Sequence, residues 1–317
     1  MNILVFGKDG QLGKAFKVLF DNLSSAKNLN IQYVGRSECD LSNEIALSNI
    51  LSNSNADLII NASAYTAVDK AEAEILLAYA INAKAPELMA RYAAERGATF
   101  LHYSTDYVFD GAKLDFYVED DARNPLSIYG KSKAAGEEAI EKIFSSKSSG
   151  QYAILRTSWV YGEGANFIRT ILRLAKEREE LRIIHDQHGV PTSARWLAQV
   201  SLDLSLDSNF DLRRFPSGIY HAVPKGETTW YGLACLAIQT AIAAGASLKA
   251  RQESIKPIMA REYPLPAPRP MNSRMGTDKL QEEMSRDDDV SKLQRCSEPW
   301  SNEVQAYIRQ LAKDGLI

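Results

Sequence analysis

Five short apolar runs, each but the last followed by a helical pattern, dominate the first half of the chain. They are NILVFG (2–7), IQYVG (31–35), DLIINAS (57–63), TFLHYST (99–105) and YAILRTSWVYG (152–162), with helix-period stretches at 11–26, 42–53, 69–97 and 128–145. A strand that is apolar on both faces has to be covered on both, and α/β alternation does this with helices. Right-handed crossovers then wind the strands into a doubly wound, Rossmann-type parallel sheet. Its ligands belong beyond the carboxyl ends of the strands. The second half is less regular. LRIIHDQHGVPT and GIYHAV read as short strands, WYGLACLAIQTAIAAG and SNEVQAYIRQLAKDG as helices, and YPLPAPRPMNSR as a proline-rich loop. A loop of that kind inside a compact domain is a candidate functional segment.

Composition narrows the function. A formal net charge of −3 over 317 residues supplies no basic face for nucleic acid. No apolar run approaches the ~18 residues of a membrane span, and the start MNILVFGKDG lacks the basic region of a signal peptide. Cys39, Cys235 and Cys296 are widely separated and odd in number, which argues against a disulfide framework or zinc cluster and for a reduced, cytoplasmic setting. The four histidines, His102, His185, His188 and His221, show no metal-ligand spacing; core or hydrogen-bonding roles are expected for them.

FGKDGQLG places Gly7, Gly10 and Gly13 between the first strand and the first helix. Glycines there permit a tight turn and let backbone approach a pyrophosphate, and the helix offers its free N–H groups to it. The acidic residue that holds the ribose of NAD is usually found at the end of the second strand. Here that position carries Arg36 and Ser37, which suit the 2′-phosphate of NADPH. Glu38 follows directly, so NADPH is favoured and NADH stays open.

HYSTDYVFDG ends the fourth strand with Ser104, Thr105 and Asp106 at the expected ligand edge. Tyr129 and Lys133 follow on the next helix, four residues apart and on one face. Hydride reduction of a ketone needs a proton donor for the developing alkoxide. A phenol with a pKa near ~10 serves best when a nearby cation lowers that value. Lys133 is expected to do so, with a Thr or Ser hydroxyl orienting the same oxygen. Lys131 lies on another face and serves as the solvated control.

FGKDGQLG, STDYVFDG and YGKSKAAGE together resemble the extended short-chain dehydrogenase/reductases, and within them most closely the family of dTDP-4-dehydrorhamnose reductases. NASAYTAVDKAE, RTSWVYG, NFIRTILRLAKER, DQHGVPT, TTWYG and RPMNSR extend the resemblance over nearly the whole chain. The resemblance implies a catalytic set of Thr105, Tyr129 and Lys133. It implies cofactor contacts from Gly7, Gly10, Gln11, Leu12, Gly13, Asp40, Leu41, Ala62, Ser63, Ala64 and Tyr103, besides Tyr129 and Lys133. For the substrate, a dTDP-linked 4-keto-6-deoxy sugar, it implies contacts from Thr105, Asp106, Tyr107, Trp159 and Arg269. A guanidinium pairs bidentately with phosphate oxygens, which suits Arg269 to the diphosphate. Trp159 reads either as a stacking platform or as core.

The implied organisation is a dinucleotide-binding domain over 1–162 and roughly 193–215. A smaller α/β nucleotide-sugar region would cover roughly 163–192 and 216–317. Some related chains bridge a dimer through magnesium held by acidic residues; the matching positions here are Ala15 and Arg195. No metal is therefore expected, and a homodimer is left open. Two rival readings are a dehydratase or epimerase of the same superfamily and a non-catalytic NADP-binding subunit. The first lacks a second carboxylate at Tyr107, and the second does not explain an intact Thr105, Tyr129 and Lys133.

Overall fold

A computed structural model describes residues 1–24, 29–145 and 149–317. Its first half runs β1 (Asn2–Phe6), α1 (Gln11–Ser24), β2 (Asn30–Val34), α2 (Glu44–Ser54), β3 (Leu58–Asn61), α3 (Val68–Ala71), α4 (Ile75–Tyr79), α5 (Ala85–Arg96), β4 (Thr99–Thr105), α6 (Ile128–Phe144) and β5 (Gln151–Thr157). Then come β6 (Val160–Tyr161), α7 (Phe167–Glu177), β7 (Leu181–Ile184), β8 (His188–Gly189), β9 (Thr192–Ser193), α8 (Ala194–Ser205) and β10 (Gly218–His221). The last elements are β11 (Thr228–Thr229), α9 (Trp230–Ala243), β12 (Ile255–Ile258), α10 (Asp278–Ser285), α11 (Val290–Cys296) and α12 (Trp300–Lys313). Residues 25–26 of the helix expected over 11–26 lie outside the described residues.

The main sheet has six strands in the order β10-β5-β4-β3-β1-β2, all paired in parallel. Successive residues of each strand feed opposite cores. Ile3 and Val5 meet Phe16 and Phe20 of α1 and Trp196 of α8, while Leu4 and Phe6 meet Leu47 of α2 and Met89 of α5. The period of two explains why the strands read as unbroken apolar runs. The chain leaves β1 for β2 on one side and returns to β3 on the other, so a crevice opens between the β1 and β3 ends.

A third core, built from α7, α9, α12, β7 and β12, makes a smaller lobe. The expected boundary between the two regions does not coincide with the packing. GIYH, grouped with the smaller region, is the edge strand β10 beside β5. Leu280, Met284 and Cys296 of α10 and α11 also pack into the α1/α8 core. A strand's edge partner is decided by long-range pairing, which local pattern does not carry.

Two expected elements are interrupted. The stretch 69–97 is not one helix but α3, α4, a π turn at Ala80–Lys84, and α5. Within the π turn Asn82 is buried and its amide clasps the Tyr65 backbone N–H (2.8 Å) and carbonyl (3.0 Å). It also donates to Ser132 of α6 at 3.0 Å. One extra residue in the turn accommodates that docking. The strand expected over 152–162 breaks after Thr157, because Trp159 adopts a left-handed φ of 49°. The chain then starts a new pairing with β9.

Candidate active site

The glycine turn is closed by steric necessity. Gly7 has φ +87°, and a Cβ there would lie 2.7 Å from the Ala62 carbonyl oxygen. A Cβ on Gly13 would lie 2.0 Å from the Gly7 oxygen, so α1 can start this close to β1 only without a side chain. The first N–H groups of α1 consequently face a cleft of about 690 Å³, within the ~300–1,000 Å³ range of small-molecule sites.

Gly7, Gly10, Gln11 and Leu12 line this cleft at the first turn, and Arg36, Asp40 and Leu41 at the end of β2. Ala62, Ser63 and Ala64 line it after β3, with Tyr103, Tyr129 and Lys133 at its inner end. Two expected contacts are not part of the lining: Gly13 is packed beneath Gly7, and Ser37 is exposed beside it. Arg36 is 81% exposed and pairs loosely with Asp40 at 3.6 Å. Glu38 is turned onto Lys8 (2.9 Å) and the Gly35 N–H (2.8 Å), and Lys8 chiefly holds its carboxyl down to about 2. Its charge is therefore engaged by Lys8 and Gly35, which removes the main objection to a phosphate nearby.

The cleft suits a dinucleotide in its chemistry as well as in its size. The turn leaves backbone bare, α1 presents its N-terminus, and the buried Gln11 Oε1 and Thr157 Oγ1 have no protein hydrogen-bond partner. Both residues line the cleft.

At the carboxyl end of β4, Thr105 and Asp106 are buried. The Thr105 hydroxyl donates to Asp106 Oδ1 at 2.9 Å and accepts the Tyr107 N–H at 3.2 Å. Ser273, from the RPMNSR loop, donates to the other Asp106 oxygen. Burial pushes the Asp106 carboxyl up to about 6, against the pull of these donors. Ser127 caps α6 by accepting the Gly130 N–H at 3.2 Å, which sets Tyr129 in the first turn facing β4. The Tyr107 ring meets Tyr129 edge-on, with centroids 5.4 Å apart.

The lysine does not act as its spacing from the tyrosine suggests. Burial raises the Tyr129 phenol to about 12; the nearby Thr105 hydroxyl opposes this and the Asp106 charge adds to it. The Lys133 amine is turned to the Tyr103 carbonyl (2.6 Å) and to His102 Nε2 (3.1 Å). It is 1% exposed, and burial lowers it to about 8 in spite of the Glu137 charge one turn on. Lys133 thus stands in the site without bringing the phenol down in this arrangement, because desolvation of the phenol dominates its acidity.

None of the five expected substrate contacts, Thr105, Asp106, Tyr107, Trp159 and Arg269, is part of the cleft lining. Trp159 stacks on Trp230 with centroids 3.7 Å apart, and its indole fills the place of a Gly189 side chain. Arg269 is held by Asp69 (2.9 Å) and by the Ala267 carbonyl (2.9 Å), while Asp69 also accepts the Ala267 N–H at 3.1 Å. Its charge is close enough to Tyr107 to act on that phenol. Sequence reasoning missed Asp69, Ser273 and the Asn61–His102 pair as site residues. Asp69 and Ser273 stand inside the NASAYTAVDKAE and RPMNSR motifs, and only the fold shows what they touch. No group of three or more His, Cys, Asp or Glu with metal-binding geometry occurs among the described residues.

The RmlD substrate binding domain model matches residues 1–312. The dTDP-4-dehydrorhamnose reductase of Escherichia coli K12 is 43% identical over 290 residues, covering 89% of this chain and 91% of the relative. A solved dTDP-4-dehydrorhamnose reductase from Clostridium acetobutylicum superposes with a TM-score of 0.83 at 32% identity, covering 98% of this chain and 99% of that one. The Bacillus anthracis enzyme of the same name, solved in complex with NADP, gives 0.79 at 28% identity over 97% and 98% of the two chains.

Proposed function

The chain belongs to the RmlD substrate-binding domain family, and on that premise we propose that it reduces dTDP-4-dehydrorhamnose to dTDP-L-rhamnose with NADPH. It is an NADP-dependent oxidoreductase. The observation that carries the reading is that Tyr129 and Lys133 line a glycine-turned cleft, with the Thr105 hydroxyl against the Tyr129 phenol. NADPH held in that cleft supplies the hydride that reduces C4 of the sugar. Tyr129 gives its phenolic proton to the C4 oxygen as charge develops there. Thr105, kept in place by Asp106, orients the same oxygen, and Lys133 stabilises the phenolate left behind. In this arrangement the raised phenol keeps its proton but is a weaker acid than the sequence reading requires. Arg36 is the residue we assign to the 2′-phosphate, and Arg269, with Trp159 on the smaller lobe, to the dTDP portion.

The coarser features follow the same reading. No helix among the described residues is long and apolar enough to cross a membrane. All three cysteines are free and buried, which supports the cytoplasmic setting we assign. For assembly we assign no metal-bridged dimer, because Ala15 and Arg195 stand at the acidic positions; light scattering distinguishes monomer from homodimer.

The test is NADPH oxidation by purified protein over a panel of dTDP-linked 4-keto-6-deoxy sugars, with the product identified by NMR. Oxidation with dTDP-4-dehydrorhamnose and release of dTDP-L-rhamnose are expected. Turnover only with a different keto-sugar would reassign the substrate. NADPH binding without turnover on any of them would favour a non-catalytic subunit.

A further inference from the structure

Beneath the lysine runs a chain of hydrogen bonds, buried except at its Ser63 end, that the reaction scheme above does not use. The Ser63 N–H donates to Asn61 Oδ1 at 3.2 Å, Asn61 Nδ2 lies 3.1 Å from His102 Nδ1, and His102 Nε2 lies 3.1 Å from Lys133 Nζ. Lys133 Nζ is in turn 2.6 Å from the Tyr103 carbonyl. Asn61 and His102 are 0% exposed. At one end of the chain Ser63 lines the cofactor cleft, and at the other stands a catalytic lysine.

Proton counting gives the chain a direction. Asn61 has its oxygen occupied by Ser63, so it presents its NH₂ group to His102, and Nδ1 must accept. Burial keeps the imidazole neutral, so with Nδ1 accepting its single proton resides on Nε2. That N–H faces Lys133, where only the lone pair of a neutral amine can receive it, while the amine donates to the Tyr103 carbonyl. The ammonium form needs the imidazole proton on Nδ1 and the Asn61 amide reversed, which breaks the bond to Ser63.

We propose that Asn61 and His102 are a positioning pair for Lys133, which fixes the imidazole proton opposite the amine and ties the lysine's charge to the cofactor-lining backbone at Ser63. The role rests on the reductase reading, since it concerns the catalytic lysine, but the proton's location does not depend on turnover. The acidic groups around Lys133 are each hydrogen-bonded to other partners, although the Glu137 charge still favours the ammonium. On α6, Glu137 is taken by Arg156 of β5 (2.7 Å) and by Arg123 (2.6 Å). Glu72, at the end of α3, caps the Ile128 N–H at 2.9 Å, and Asp106 beyond β4 is taken by Thr105 and Ser273. The consequence is that a ligand drawing on the Ser63 N–H loosens Asn61 and lets Lys133 charge when the cleft is filled.

Asn61→Asp is the discriminating variant, because a carboxylate still accepts from Ser63 but also accepts a proton-bearing Nδ1. Histidine ¹⁵N spectra of the full chain, recorded above the Lys133 transition, are expected to show His102 protonated on Nε2 in the native protein and on Nδ1 in the variant. The alkaline limb of kcat/KM is expected to move up by about one pH unit. A native His102 protonated on Nδ1 under those conditions overturns the proposal, whether or not the variant folds. So does an unmoved alkaline limb in a folded variant whose tautomer has changed. Because the spectra need no substrate, loss of the reductase reading and loss of this pair would be told apart.

Discussion

Glu137→Gln removes the charge on which the buried side of α6 depends. Glu137 is 0% exposed; its Oε1 accepts Arg156 Nε at 3.0 Å, and its Oε2 accepts Arg156 Nη2 at 2.7 Å and Arg123 Nε at 2.6 Å. Arg156 is 1% exposed, lies over the Phe109 ring and donates further to the Glu119 carbonyl. Glutamine keeps the shape but offers one acceptor, turns an NH₂ group toward a guanidinium and leaves a buried cation without a counter-charge. Breaking a buried pair in this way costs about 3–5 kcal/mol, a large share of the ~5–15 kcal/mol that holds a domain together. At roughly 2 °C per kcal/mol for a chain of this size, Tm should fall by about 6–10 °C near neutral pH.

The pH dependence supplies a second handle on the same variant. Burial would raise the Glu137 carboxyl, but Arg156 and Arg123 outweigh it and hold the group below its ordinary value. A depressed carboxylate contributes stability that is present above its unfolded value of ~4.3 and is lost as pH falls through the folded value. The Tm difference between native and variant protein, measured by calorimetry, should therefore shrink on acidification. A fall of less than about 2 °C near neutrality, or a difference that stays constant into acid, would refute the reasoning. Replacing both partners, Glu137→Leu with Arg156→Met, should be less damaging than the sum of the single changes.

Tyr129→Phe should lower kcat by about 10²–10⁴-fold, the contribution of a positioned general acid, and leave NADPH affinity nearly unchanged by fluorescence titration; Lys131→Ala, on the other face of α6, should change neither. Asp106, raised to about 6 by burial, should give kcat/KM an acid limb, with activity falling as pH drops through that value and the carboxylate stops accepting from Thr105 and Ser273. Asp106→Asn should abolish the limb and cost roughly 10–100-fold in kcat/KM, the worth of a charge-assisted hydrogen bond. Arg36→Glu should weaken NADPH by about tenfold or more while sparing NADH, because only the 2′-phosphate calls for a guanidinium; equal losses for both cofactors would move the phosphate contact elsewhere.

Much of this protein is encoded locally and is legible in the chain itself. Unbroken apolar runs alternating with helical periods suffice for a parallel sheet covered on both faces. Gly7 and Gly13 mark their turn because no side chain fits there. The four-residue spacing of Tyr129 and Lys133 is enough to put them on one helix face. Other features depend on residues distant in the chain, which meet only in the folded molecule. GIYH becomes an edge strand of the main sheet only by pairing with β5, and Trp159 breaks its strand to meet Trp230. Arg269 finds Asp69 across 200 residues of sequence. Most consequentially, Lys133 is legible as a cation near a phenol, but its charge is set by how deeply it is buried and by which nitrogen of His102 faces it. Spacing along a helix specifies direction, whereas desolvation and proton placement are properties of the whole packed interior.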